Sequence, residues 1–210
     1  MIPAPPESLE HVSRETSNLL KVYQALLHKW QKAVNLVAPS TIDISWERHF
    51  EDSLQIFPIV SRETSSGKKT LYDLGSGAGF PGLVLAITCP QLSVTLIESD
   101  QKKCAFLSTV SHETKTAIGI ENCRIESAVQ SLPAPDIVTA RALATLPDLL
   151  NYIRPWVEKK GDILCIFPKG ANWAAEVEAG QKIANFTLED VPSKTDPAAR
   201  LLVLRGIVFI

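Results

Sequence analysis

Glycine lets a backbone approach a ligand closely, and four glycines fall within the segment LYDLGSGAGFPG, residues 71–82. The segment fits two spacings at once. From Gly77 it reads G-x-G-x-x-G, which is typical of folds that bind a dinucleotide, and from Asp73 it reads D-x-G-x-G-x-G. The two readings imply different cofactors and therefore different chemistry.

An acidic residue that could hold a ribose follows this segment. Glu98 closes the apolar run LSVTLIE, about 20 positions further on, where a dinucleotide fold places the carboxylate that binds ribose hydroxyls. Glu98 suits the ribose of S-adenosylmethionine equally well, and that cofactor carries no phosphate. Asp73 separates the two cases, because a carboxylate repels a pyrophosphate and attracts an ammonium or sulfonium group. The segment therefore favours S-adenosylmethionine.

Other catalytic patterns are missing from the sequence. It contains no Ser-His-Asp or Cys-His arrangement, no H-E-x-x-H motif and no carboxylate cluster at a metal spacing. The four cysteines, Cys89, Cys104, Cys123 and Cys165, are spread singly and predict buried free thiols. We expect no metal site.

Two helices are predicted before the first strand. Apolar residues recur at intervals of three and four over residues 8–34, and a second helix is predicted over residues 44–57, ended by Pro58. We therefore expect an N-terminal helical extension, residues 1–66, followed by a cofactor-binding core, residues 67–210, in one compact unit.

Short apolar runs then alternate with helical segments. Strands are predicted near residues 70–74, 92–97, 121–126, 136–140 and 162–167. This alternation predicts a parallel sheet covered on both faces. The last two runs, NFTLEDV and ARLLVLRGIVFI, are joined by a loop too short for a crossover helix, so we expect an antiparallel pair at one edge.

Length and charge limit the class of protein. A chain of 210 residues with 45% hydrophobic residues suits one globular core. The formal net charge of −2 means that any surface for nucleic acid must be local. The candidates are Lys21, His28, Lys29, Lys32, Arg48 and His49, although for each taken alone a solvated helix face is the favoured interpretation. The start MIPAPPESLE lacks the features of a signal peptide, and no apolar run is long enough to span a bilayer, so we expect a cytoplasmic protein without membrane contact.

Seven motifs give a resemblance to one family. The chain carries, in this order, WQKAVNLVAP, WERHFEDSL, LYDLGSGAGFPGLVLAI, VTLIESDQKKCAFL, CRIES, DIVTARALATLPDLL and FPKG. In them it closely resembles the 16S ribosomal RNA guanine-N7 methyltransferase family called RsmG, also known as glucose-inhibited division protein B. The resemblance runs from about Leu19 to the end, and the forms RIES and FPKG resemble the alphaproteobacterial branch.

The resemblance implies a fold and an activity. The fold is a Rossmann-like class I methyltransferase of the α/β class, with a mostly parallel seven-stranded sheet and an antiparallel C-terminal edge strand. The activity is methylation by S-adenosylmethionine of guanine N7 in 16S rRNA, at position 527 in the 530 loop. The partner is 16S rRNA or the small ribosomal subunit, and we expect a monomer. N7 already exposes a lone pair, so no general base is expected.

Cofactor residues follow from the same resemblance. It places Gly75, Gly77 and Gly79 beneath the cofactor, Phe80 against it, Glu98 on the ribose, and Ile125 and Glu126 beside the adenine. Without the family, the last two could be strand and salt-bridge residues.

Arginine, histidine and lysine supply the candidates nearer the substrate. Arg141 ends the fourth strand, and the family assigns it to the cofactor pocket, where a guanidinium can clasp a carboxylate or face the target base. We assign it a positioning role in catalysis. The substrate candidates are Asn35, Arg48, His49 and Lys169. Asp52 lies one turn from Arg48 and His49, so a local helix-surface pair is an alternative, and Lys169 could be a solvated side chain.

Two other functions stay open at this point. An NAD-dependent oxidoreductase would use the G-x-G-x-x-G reading, but no convincing proton donor follows the nucleotide half. A non-catalytic RNA-binding module would keep the fold and lose the pocket, which the presence of Asp73, Gly75, Glu98 and Arg141 argues against.

Overall fold

The computed structural model describes residues 12–210, which build one seven-stranded sheet. Its strands are β1 (Lys69–Leu74), β2 (Leu92–Ile97), β3 (Gly119–Glu121), β4 (Ile137–Ala140), β5 (Leu164–Lys169), β6 (Ala184–Pro192) and β7 (Arg200–Phe209). They are ordered β3-β2-β1-β4-β5-β7-β6. Strands β1 to β5 are parallel, and β7 is antiparallel to both β5 and β6. The predicted sheet of mostly parallel strands is confirmed.

Helices cover both faces of this sheet. They are α1 (Arg14–Trp30), α2 (Asp52–Leu54), α3 (Phe57–Thr64), α4 (Gly82–Thr88), α5 (Gln101–Thr114), α6 (Ile125–Ser131), α7 (Leu146–Lys160) and α8 (Trp173–Gln181). A 3-10 turn (Pro39–Thr41) and a π-helical turn (Trp46–Glu51) lie between α1 and α2. No helix in residues 12–210 has both the length and the apolar character needed to cross a bilayer.

The antiparallel pair lies at the edge of the sheet, as predicted, but its two strands are arranged differently from expectation. The C-terminal strand β7 lies between β5 and β6, so the edge strand is β6. Residues 201–204 of β7 are all buried, whereas β6 alternates between buried or half-buried and exposed positions over most of its length. A strand covered on both faces belongs inside a sheet, and an alternating strand suits an edge.

The third strand, predicted near residues 121–126, is wrong beyond residue 121. Only residues 119–121 pair with β2. Asn122 then donates a hydrogen bond from its amide to the carbonyl oxygen of Glu98, 3.0 Å away, and the chain turns into α6. Ile125, Ala128 and Val129 are buried at helical intervals, a pattern that the short apolar run did not reveal.

The N-terminal helices differ from prediction at their ends. Residues 8–11 of the first predicted helix lie outside the described part of the chain. Ser13 caps α1 by accepting a hydrogen bond from the Thr16 amide, and the helix ends at Trp30 rather than near residue 34. The second predicted helix is interrupted, and Pro58 does not end it but stands in the first turn of α3. Proline is tolerated there because the amide it lacks has no helical partner.

The extension and the sheet share a hydrophobic cluster. Leu20, Tyr23 and Leu27 of α1 are fully buried together with Leu83 of α4 and Phe106 of α5. A second cluster, formed largely by α6, α7 and the opposite face of the sheet, fills the other side. Because α1 completes the first cluster, the segments that follow it are fixed against the ends of β1 and β4.

Candidate active site

Two adjoining cavities open at the carboxyl ends of the central strands. The larger has a volume of about 590 Å³ and the smaller about 320 Å³. Both are lined by Gly75, Gly77, Lys103 and Ala142. They lie where the strand order reverses between β1 and β4, which is the place at which open α/β sheets bind ligands.

The glycine loop after β1 forms the wall between the cavities. Gly75 and Gly77 adopt φ values of 60° and 57°, in the left-handed region that favours glycine. The Gly77 amide donates a hydrogen bond to Glu98 Oε2 over 2.8 Å. The loop therefore turns its backbone toward the cavities and is held by the end of the neighbouring strand.

Glu98 joins the loops that follow β1 and β2. Its second oxygen, Oε1, accepts a hydrogen bond from the Asp100 amide at 2.8 Å, and its exposed fraction is 7%. The carboxylate lines the smaller cavity together with buried Ile125 and exposed Glu126, which begin α6. This cavity therefore combines a hydrogen-bond acceptor with an apolar wall.

Asp73 does not face either cavity, contrary to the expectation from sequence. It is fully buried, and its Oδ1 accepts a hydrogen bond from the Thr139 hydroxyl at 2.7 Å. Its Oδ2 accepts one from the Gly82 amide at 3.2 Å. Burial raises its pKa to about 6, against the lowering effect of these hydrogen bonds. Asp73 thus anchors the start of α4 to β1 and β4, and its attraction for a cationic cofactor stays a prediction.

Arg141, which directly follows β4, is held by the π-helical turn. Its Nη1 donates to the Arg48 carbonyl oxygen and to Asp52 Oδ2, both at 3.0 Å. Its Nη2 lies 3.0 Å from His49 Nδ1, and its guanidinium carbon lies 5.2 Å from the centre of the Phe80 ring. A π-helical turn is frequent at functional sites. Here it supplies two partners to one guanidinium, and Asp52, the first residue of α2, supplies the third.

The contacts of His49 fix its tautomer. A guanidinium only donates hydrogen bonds, so Nδ1 accepts from Arg141 and Nε2 carries the proton, which it donates to Thr41 Oγ1 over 2.9 Å. The ring stacks on Phe80 with 5.1 Å between ring centres. Burial, followed by the charges of Arg141 and Arg48, lowers the His49 pKa to about 3. His49 lines the larger cavity as a neutral side chain with both nitrogens engaged.

Asp52 does not form the local pair considered from sequence. It pairs with Arg141, and its Oδ1 accepts a hydrogen bond from Thr195 at 2.9 Å. Arg48 pairs instead with Asp196, at 3.8 Å. The π-helical turn and α2 are thereby tied to the end of β4 and to the loop between β6 and β7.

Lys169 is the last residue of β5, which extends two residues beyond its predicted end. It is buried, pairs with Glu176 of α8 at 2.8 Å, and donates a hydrogen bond to the Ala144 carbonyl. Its side chain lines the larger cavity, and its contact with phosphate stays a prediction. Asn35 is exposed and lines neither cavity, although the two residues after it line the larger one. Gly79 also lines neither, whereas Phe80 lines the larger.

Comparison with known proteins assigns the family. Residues 16–201 match the model of the GidB family, described as rRNA small subunit methyltransferase G. The chain belongs to the rRNA small subunit methyltransferase G family. This confirms the resemblance seen in the motifs.

Individual methyltransferase G proteins match nearly the whole chain. The ribosomal RNA small subunit methyltransferase G of Paramagnetospirillum magneticum is 47% identical over 196 residues, covering 93% of this chain and 91% of that protein. The protein of the same name from Cereibacter sphaeroides is 42% identical over 205 residues, covering 95% of each chain. Alphaproteobacteria thus supply similar relatives, in line with the predicted branch.

A solved structure outside the methyltransferase G family shares the fold. Magnesium protoporphyrin IX methyltransferase from Synechocystis, solved with bound S-adenosylmethionine, is 10% identical and superposes with a TM-score of 0.59 over 94% of this chain and 99% of that one. The Rossmann-like methyltransferase fold is therefore confirmed.

The residues that line the candidate site fit S-adenosylmethionine better than a dinucleotide. A dinucleotide needs free amides at the start of the helix after the glycine loop, where its pyrophosphate binds. Here the Gly82 amide at the start of α4 already donates to the buried carboxylate of Asp73. Glu98 is placed to accept hydrogen bonds from a ribose, and Ile125 offers an apolar surface beside it.

Three residues of this candidate site were not predicted from the sequence. Lys103 lines both cavities, Thr139 holds Asp73, and Thr41 accepts from His49. Lys103 follows Glu98 by five residues and lies in the first turn of the next helix, and this position was a usable signal. The two threonines gave no signal because their partners are distant or lie in irregular segments. Across residues 12–210, no group of three or more His, Cys, Asp or Glu side chains is arranged to bind a metal.

Proposed function

We propose that this protein transfers the methyl group of S-adenosylmethionine to N7 of a guanine in 16S rRNA, at position 527 in the 530 loop. The observation that carries the proposal is the pair of adjoining cavities that share Gly75, Gly77 and Lys103. The smaller cavity offers groups suited to adenosine, and the larger is wide enough for a purine. A donor and an acceptor base would therefore meet at the glycine loop.

The chain's own groups would hold the cofactor in place. Glu98 would accept hydrogen bonds from the ribose, Ile125 and Glu126 would lie beside the adenine, and Arg141 would face the methionine carboxylate. The cofactor supplies an electrophilic methyl group on a positively charged sulfur. Arg141 is already oriented by Asp52 and His49, so little side-chain entropy is lost when it binds an anion.

The larger cavity supports a reaction without a general base. Its carboxylates, those of Asp52, Glu176 and Asp196, are all ion-paired, and both nitrogens of His49 are engaged. The N7 atom of guanine needs no such base because its lone pair is already available. The protein would contribute by holding the base in line with the methyl group and by excluding water. Side chains near the base would contact O6 or phosphate and leave N7 free.

Exposed lysines could bind the RNA partner, which we propose to be 16S rRNA or the small ribosomal subunit. Lys21, Lys29 and Lys32 are exposed on or just after α1, and the residues that follow line the larger cavity. His28 is less available because its ring bonds to Ser45 over 3.0 Å. Extracting the target base from its stack costs a few kcal/mol, roughly, and phosphate contacts would offset that cost. We propose that the enzyme acts as a monomer in the cytoplasm.

Methyl transfer to defined RNA tests the function. Purified protein is incubated with labelled S-adenosylmethionine and either naked 16S rRNA or small subunits that lack the modification. Nucleoside analysis should show 7-methylguanosine, and reverse transcription should map it to the proposed position. Binding of S-adenosylhomocysteine and NAD is measured by calorimetry in parallel. A protein that binds RNA without binding S-adenosylhomocysteine would be a non-catalytic module, and a protein that binds NAD tightly would be an oxidoreductase.

A further inference from the structure

Lys103 differs from the other cationic side chains that line the larger cavity. Those residues form ion pairs within the protein, namely Arg48 with Asp196, Arg141 with Asp52, and Lys169 with Glu176. Among residues 12–210, no carboxylate lies within ion-pair distance of the Lys103 ammonium group. The three pairs cancel and His49 is neutral, so Lys103 gives the lining of this cavity a net positive charge.

Helix stability does not explain a lysine at this position. Lys103 lies in the first turn of α5, whose amides are capped by the carboxylate of Asp100. The amino end of a helix carries a partial positive charge, which disfavours a cation in this turn. The Asp100 carboxylate attracts Lys103 and Lys102 alike, so this attraction does not distinguish the two lysines. Lys102 in the same turn bears the same disadvantage, but it is exposed and lines neither cavity.

The position of Lys103 favours an anion that reaches the junction of the cavities. Its side chain is half-buried, so its charge is less screened than that of an exposed lysine. S-adenosylmethionine is a poor partner because its sulfonium and ammonium groups are both cationic, and its one carboxylate has Arg141 available. RNA brings a phosphate on each side of the target nucleotide.

We propose that Lys103 binds a backbone phosphate next to the methylated guanosine and thereby fixes the register of the RNA in the larger cavity. This inference rests on the proposed function, since it takes the occupant of that cavity to be RNA. A flexible side chain that ends in a point charge suits a phosphate whose position is set by the base. Lys103 would be a substrate-positioning residue that leaves N7 and the cofactor untouched.

A comparison of Lys103→Gln with Lys102→Gln tests the proposal. The affinity of each variant for small ribosomal subunits is measured in the presence of S-adenosylhomocysteine at a series of salt concentrations. Calorimetry gives the affinity of each variant for S-adenosylhomocysteine alone. We expect Lys103→Gln to bind RNA about tenfold more weakly and to lose about one unit of salt slope. Lys102→Gln and Lys103→Arg should stay within about twofold of the wild type, and S-adenosylhomocysteine affinity should not change in any of them.

Two results would overturn the proposal. One is equal RNA affinity and salt slope for Lys103→Gln and Lys102→Gln, and the other is a loss that falls on S-adenosylhomocysteine affinity. Thermal unfolding controls for folding, because removing a cation from the start of α5 should leave the melting temperature unchanged or raised. Methyl transfer by the wild type is assayed separately, so an inactive wild type that still binds RNA through Lys103 contradicts the proposed function alone.

Discussion

His49 accepts a hydrogen bond from Arg141, with 3.0 Å between the imidazole Nδ1 and the guanidinium Nη2. The two residues belong to distant parts of the chain, the π-helical turn of the extension and the end of β4. Because Asp52 bonds to the other terminal nitrogen, the plane of the guanidinium is set from two sides. The N-terminal extension is therefore part of the candidate active site through its contacts with Arg141.

A first prediction concerns this hydrogen bond. In His49→Asn the amide oxygen can take the place of Nδ1 and still accept from Arg141, whereas in His49→Phe the ring can stack on Phe80 but accepts nothing. Leaving a buried donor unpaired costs about 1–3 kcal/mol. We expect S-adenosylhomocysteine affinity, measured by calorimetry, to fall at least about tenfold in His49→Phe and less than about threefold in His49→Asn. Equal affinities in the two variants would show that the hydrogen bond does not orient Arg141.

A second prediction follows from the raised pKa of Asp73. The folded protein holds this proton up to a pH of about 6, whereas the unfolded chain releases it near the ordinary aspartate pKa of 3.8. Protonation of Asp73 therefore stabilises the fold at low pH, and this contribution is lost as the pH rises through about 6. Asp73→Asn stays neutral at every pH. Its side-chain oxygen can accept a hydrogen bond from the Gly82 amide, while its NH2 group donates one to the oxygen of the Thr139 hydroxyl.

We expect the stability of Asp73→Asn relative to the wild type to rise between a pH of about 4 and about 6 and then to level off. Urea unfolding of both proteins at several pH values measures this difference. Asp73→Ala is the comparison, because it removes both hydrogen bonds and should be less stable than the asparagine variant throughout. A difference between Asp73→Asn and the wild type that is the same at every pH would mean that the pKa of Asp73 is not raised.

Local patterns predicted most of the fold. The alternation of apolar runs with helical segments was enough for the parallel strands and for the antiparallel pair. The prediction failed at Ile125, where the apolar run is too short to distinguish helical from strand spacing. It also failed at Pro58, because a proline can either follow the end of a helix or stand in the first turn of one. In both places the neighbouring packing decided the structure, and a single sequence does not contain that information.

The sequence predicted the positions of those site residues that directly follow a strand of the parallel sheet. Glu98 and the glycine loop lie together because β1 and β2 are parallel neighbours. The partner of Asp73 is Thr139, 66 residues away, and that of Asp52 is Arg141, 89 residues away. Such pairs depend on how distant segments meet, so the sequence suggested that Asp73 faces the cofactor and that Asp52 forms a local pair. The local pair of Asp52 is wrong, and the enclosure of Asp73 between β1, β4 and α4 was not visible in the sequence.

A third prediction concerns the two hydrogen bonds that Glu98 accepts. Glutamine at this position has one acceptor oxygen, so its amide group must face the N–H of either Gly77 or Asp100. We expect Glu98→Gln to lower the free energy of unfolding by about 1–3 kcal/mol and the S-adenosylhomocysteine affinity by at least about tenfold. Glu126→Gln is the matched control, because Glu126 lines the same cavity and is exposed. Similar losses in both variants would show that charge, rather than the two hydrogen bonds, accounts for the effect.

A fourth prediction couples Gly75 to Leu143 across the junction of the cavities. A Cβ atom at Gly75 would lie 2.6 Å from Leu143 Cδ1, and the φ of 60° at Gly75 would be strained for any other residue. In Gly75→Ala both effects lower stability, the backbone strain by about 1–2 kcal/mol. Leu143→Ala alone should cost less, because this side chain is 36% exposed. In the double variant the clash disappears while the backbone strain remains.

The free energies of unfolding of the wild type, both single variants and the double variant give the coupling between the two positions. We expect the double variant to be more stable than the sum of the single effects predicts, by about 1 kcal/mol. Strictly additive effects would mean that Leu143 turns away from the loop at no cost when Gly75 changes. In that case the glycine backbone alone would determine the shape of the junction between the cavities, and Leu143→Ala should leave S-adenosylhomocysteine affinity unchanged. With coupling, the same variant should change that affinity, because Leu143 then limits the space beside Gly75 where the cofactor is proposed to lie.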